Sequence, residues 1–70
     1  MSIAEATDAA KVLKEKIKEF NMKPDYVTIV SVEKQDNKWI IVFWYLFEQY
    51  TAEIDENGRI MSLKRIERWL

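Results

Sequence analysis

Nucleophilic catalysis needs a hydroxyl or thiol with a base to activate it, and this chain has little to offer. Its serines are Ser2, Ser31 and Ser62, and it contains neither His nor Cys. Without Cys there is no disulfide and no thiolate zinc site, and without His the commonest metal ligand is missing. Carboxylates can also act as acid and base, and Asp55 and Glu56 are adjacent. They fall, however, in a stretch that reads as a turn, where exposed acids are routine. That stretch, "DENG" at residues 55–58, resembles one corner of a calcium loop but lacks the alternating Asp or Asn positions and the distant Glu. The expectation is a chain with no catalytic, cofactor-binding or metal-binding residues, and so no enzyme.

Charge offers a second kind of chemistry. Lys11, Lys14, Lys16 and Lys18 are interleaved with Asp8, Glu15 and Glu19, as on a solvated helix face. Near the C-terminus Lys64, Arg65 and Arg68 stand beside Trp69 with only Glu67 opposing them. A basic and aromatic cluster of this kind can stack on bases or bind an acidic partner. It can equally be an edge strand protected by charge. Overall, 11 Lys and Arg balance 12 Asp and Glu, a net charge of −1, so no global field attracts nucleic acid or an anionic membrane.

The third candidate is apolar. Residues 39–47, "WIIVFWYLF", are apolar without interruption. A membrane-spanning helix needs about 20 such residues, so this run is too short to span. In a strand, side chains alternate, and Ile40, Val42, Trp44 and Leu46 face opposite to Trp39, Ile41, Phe43, Tyr45 and Phe47. One helix can cover only one of these faces, whereas a half-exposed antiparallel strand ordinarily carries polar residues on its free side.

The elements that position these groups follow from periodicity. Ile3, Ala6, Ala10, Leu13, Ile17 and Phe20 recur at steps of three and four, which predicts an amphipathic helix over residues 3–20. Ser2 and Glu5 have the spacing of a capping box at its start. Asn21 in a left-handed conformation, with Met22 packed back on Ile17 and Pro24 beyond, predicts a Schellman ending. Residues 26–33, 38–47, 50–55 and 59–66 read as strands, joined by turns at "QDNK" and "ENG" and by an unmarked link near Glu48 and Gln49. That link is read as a tight irregular turn or as a bulge that bends one long strand. The predicted fold is α+β: an N-terminal amphipathic helix packed on a four-stranded antiparallel meander, a two-layer sandwich forming a single domain over residues 1–70.

A domain of 70 residues has a marginal core, burying only roughly 60% of its unfolded surface. Disulfide and thiolate or histidine metal staples being excluded, oligomerisation is the remaining support. The expectation is a homodimer, or a complex with a protein partner, through Ile40, Val42, Trp44 and Leu46, or through their odd-numbered neighbours if the helix covers the even face. The alternative is that residues 69–70 fold over that face. The N-terminal residues lack the pattern of a signal peptide or presequence, so a cytoplasmic location is expected.

Several short motifs resemble the gas vesicle protein O family: Val32-Glu33, Asp36 before Trp39, Tyr50 with Ile54, Asp55 and Gly58, and Arg65, Arg68 and Trp69. The chain lacks the Arg-Ile-Pro segment that this family places between its central strands. The helix-then-meander order and the Tyr50 to Gly58 hairpin are also similar to PepSY-like small domains. Both resemblances imply a non-enzymatic protein that works by contact. The second hypothesis is a small nucleic-acid-binding domain using Lys64, Arg65, Arg68 and Trp69.

Overall fold

The computed structural model describes residues 5–67. A helix, α1 (Ala6–Lys16), is followed by a 3-10 turn (Ile17–Phe20), a short 3-10 segment (Pro24–Tyr26) and four strands. The strands are β1 (Val27–Gln35), β2 (Lys38–Tyr45), β3 (Glu48–Asp55) and β4 (Ile60–Arg65). They pair antiparallel in sequence order as one sheet. The fold is therefore the expected α+β arrangement, one helix on one face of a four-stranded meander.

The helix ends as its sequence predicts. Asn21 adopts φ 61°, its N–H donates to the Lys18 carbonyl, and the Met22 N–H donates back to Ile17. These two bonds make a Schellman motif, and Met22 packs against the core that contains Ile17. The predicted start is not found. Helical geometry begins at Ala6, and Glu5 is itself the extended N-cap residue, with no side-chain capping bond. Glu5 therefore does not occupy the third helical position that a capping box requires; Ser2 lies outside the described residues.

The buried helix face is also rotated from the predicted one. Ala9, Val12, Leu13 and Ile17 are buried, while Ala6 is exposed and Phe20 is 49% exposed. Two effects account for this. The 9, 12, 13, 17 stripe has the same three-four spacing as the predicted one, and the tighter 3-10 geometry beyond Lys16 swings Phe20 off the seam.

Beneath the helix lie Trp39, Ile41 and Phe43 of β2 and Ala52 and Ile54 of β3, completing a core of nine buried residues among those described. Every one is apolar; among the described residues the one buried polar side-chain atom left without a partner is the Trp39 indole nitrogen. Beyond the end of the helix an aromatic group extends this layer. Phe43 stacks on Tyr50 at 5.6 Å, and Tyr45 meets both Tyr50 and Tyr26 edge-on. The Tyr45 hydroxyl also accepts the Lys23 N–H at 2.8 Å, tying the segment before β1 to the sheet.

The unmarked link between the central strands is a two-residue turn. Tyr45 pairs with Glu48, leaving Leu46 and Phe47 as the loop, and Leu46 has φ 58°. The β1–β2 turn has the same two-residue form, with Asp36 at φ 53°. Positive φ suits the right-handed twist of hairpins, but Leu is an uncommon residue to adopt it. Leu46 and Phe47 are thus not strand residues as predicted. The bulges lie elsewhere, at Val30 in β1 and at Met61 in β4, each an extra exposed residue.

Candidate functional site

With the helix on the odd-numbered side of β2, the opposite face of the sheet presents Ile40, Val42 and Trp44, all half-buried; the expectation that residues 69–70 fold over this face lies outside the described residues. Their cross-strand neighbours define the surroundings. Ile40 lies between Glu33 and Glu53, Val42 between Ser31 and Thr51, and Trp44 between Thr28 and Gln49. Further out, Ser62 pairs with Glu53 and Lys64 with Thr51. The face is accordingly an apolar stripe with mostly polar cross-strand neighbours, to which the exposed bulge residues Val30 of β1 and Met61 of β4 add apolar surface in the flanking strands, rather than the wholly apolar surface that β2 suggests when read alone. Only the pairing register reveals those neighbours, since they come from three other strands.

The stripe broadens at one end. Trp44, Phe47 and Ile66 line an open depression of about 350 Å³, rimmed by Glu48, Gln49, Arg65 and Glu67. Phe47 is 94% exposed at the turn, and Leu46 beside it is 57% exposed. Leu46, expected in line with Trp44, therefore sits in the hairpin turn rather than in the stripe. Phe47 and Ile66 take part in this surface although the sequence reading placed Phe47 on the opposite face. Alternation along β2 could not have placed Phe47, because the two-residue turn breaks it at Leu46, and Ile66 joins the surface through its backbone bond to Gln49.

Electrostatics divide the face along the strands. At the β1–β2 turn end, the Lys38 ammonium donates to Glu53 at 2.6 Å, and this bond holds the Glu53 carboxyl below the usual carboxylate range. Glu33 is exposed on the other side of Ile40. At the Trp44 end the strand neighbours Thr28 and Gln49 are uncharged, and the charges stand at the rim, where Arg65 lies between Glu48 and Glu67; Lys64 is one level away, beside Thr51. The Asp55 carboxylate, at the edge of the acidic end, is turned to its own hairpin. It accepts the N–H groups of Asn57 and Arg59, both at 2.9 Å, and these backbone donors, Arg59 first, lower its pKa.

The basic cluster is divided. Arg65 pairs with Glu48 at 3.1 Å and with Glu67 at 3.7 Å, so its guanidinium is bracketed by carboxylates. Glu48 also accepts the Tyr50 hydroxyl at 3.3 Å; burial, with Glu48 beside it, raises the Tyr50 pKa. Lys64 is exposed on β4, next to the acidic Glu53 region. Arg68 and Trp69 lie outside the described residues.

Among the described residues no group of three or more carboxylates comes together as a metal site would require. No helix among them is long and apolar enough to cross a membrane. Comparison of the chain with protein-family models, curated proteins and solved structures returned no match.

Proposed function

We propose that this protein is a non-enzymatic interaction or assembly module that associates with a second copy of itself through the sheet face opposite α1. The observation that carries this is the Ile40, Val42, Trp44 stripe running onto Phe47 and Ile66, on the one sheet face that α1 leaves open. An apolar stripe with a polar rim is the general anatomy of a protein–protein contact. The small size of the core adds a motive, since burial between two copies supplements what nine buried side chains provide. Such a role agrees with the contact functions implied by the resemblance to gas vesicle protein O and PepSY-like domains. Among the described residues the nucleic-acid reading has less support, since Arg65 is engaged by Glu48 and Glu67.

Sedimentation velocity of the wild type and of Trp44→Glu tests the proposal. The expected result is a wild-type dimer that Trp44→Glu converts to a folded monomer. A wild type that stays monomeric over the whole accessible concentration range would remove it.

A further inference from the structure

Resting on the self-association reading, the structure points to one orientation for the pair: we infer a face-to-face dimer whose two β2 strands run antiparallel, with the two-fold axis crossing the strands at Val42. Two face-to-face orientations of the aligned sheets place the stripes over each other. If the axis ran along β2, the strands would be parallel across the interface and each residue would keep its level. Glu33 would then oppose the other copy's Glu53 on both sides of the axis, and Lys38 would oppose Lys38, because Glu33, Ile40 and Glu53 share one level. Like charges set against each other at an interface are strongly unfavourable.

Turning the axis across the strands reverses the levels about Val42. Glu33 and Glu53 now face Thr28 and Gln49, which flank Trp44, and the charges at that end are Arg65 held between Glu48 and Glu67 at the rim. Glu53 is carried toward the Lys64 side of the other copy, since Lys64 pairs with Thr51 on the neighbouring level. On the axis itself Lys64 approaches its own copy, and it lies on the outermost strand, where the long ammonium side chain reaches solvent.

Shape selects the same orientation. Strands run parallel would stack Trp44 on Trp44 at one end and Ile40 on Ile40 at the other, a wedge that close packing does not tolerate. In the antiparallel arrangement each end holds one Trp44 and one Ile40, around a central pair of Val42 residues, and the layer has even thickness.

The chain contains no Cys, so single cysteines report the orientation directly. Thr51→Cys and Ser31→Cys flank Val42 on opposite sides of the stripe and leave its apolar residues intact. With the axis across the strands, each position faces its own copy. Treated with a short bismaleimide, each variant alone is expected to give covalent dimer as its major product, with sedimentation confirming that the dimer persists. Covalent dimer only when the two variants are mixed, in a protein that sediments as a dimer, would overturn the orientation while sparing self-association. A sedimenting dimer that neither variant cross-links would overturn the choice of this face. A monomeric wild type would overturn both.

Discussion

Strand β2 is one sequence with two environments. Trp39, Ile41 and Phe43 lie under α1 and are buried, while Ile40, Val42 and Trp44, one residue out of step and of the same chemical types, are only half covered. The first set meets side chains from the helix and from β3 and packs as a core. The second meets the polar side chains of its neighbouring strands. Residue type therefore does not separate core from candidate interface here. What separates them is which face the helix occupies, and the substitutions that probe that difference should have unequal effects.

The largest effect is expected under the helix. Phe43→Ala removes a fully buried ring stacked on Tyr50 and should cost about 3–5 kcal/mol, enough to unfold much of a domain this small; chemical denaturation monitored by circular dichroism measures it. Gly58→Ala comes next. Gly58 holds φ 88°, and a Cβ there would stand 3.3 Å from the Val12 side chain. Left-handed strain alone costs an L-residue about 1–2 kcal/mol, and the same denaturation experiment should show at least that. This probes how closely the β3–β4 turn seats on the covered face.

Ile40→Ala sharpens the comparison from the other side. In dilute monomer it should change stability by less than about 1 kcal/mol, as a partly exposed position. If the face opposite α1 is an interface, the loss should grow with protein concentration, because the wild type gains from association by mass action. Thermal melts across a concentration series distinguish the two; a loss equal to that of Phe43→Ala at every concentration would break the contrast between the faces.

The smallest expected effect is electrostatic. Glu53 and Asp55 have folded pKa values below their ordinary ones, through Lys38 and through the turn N–H donors respectively. A depressed carboxylate contributes stability that is present above its unfolded pKa and is lost as pH falls through the folded value. Melting temperature should thus decline modestly below about pH 4, and Glu53→Gln with Asp55→Asn should flatten that decline. A melting temperature that rises on acidification would contradict the sign.

Much of this was legible in the residues, for reasons that differ from place to place. The Schellman ending at Asn21 and Met22 and the turn at Gly58 are local, set by a few adjacent residues whose backbone preferences leave little choice. Strand identity in residues 39–45 followed from β-branched and aromatic types. The Leu46 turn was not legible, because Leu carries no turn preference; register and the strong pairing on either side impose its positive φ. The helix seam was misplaced for a related cause: Ala6, Ala10 and Phe20 satisfy the period as well as Ala9 and Val12 do, and packing on the sheet selects between them.

By itself, then, the sequence determined the kinds and order of the elements, the absence of thiol and imidazole chemistry, and the apolar strand at the centre of the sheet. Those properties depend on composition and on neighbours within a few positions. Tertiary structure alone decided which side of β2 the helix covers, and which polar residues flank Ile40, Val42 and Trp44. It also decided that Arg65 is held by Glu48 while Phe47 stands in solvent. Each of these depends on pairing between residues distant in the chain, where alternation makes both faces of β2 equal candidates until a second layer arrives to bury one.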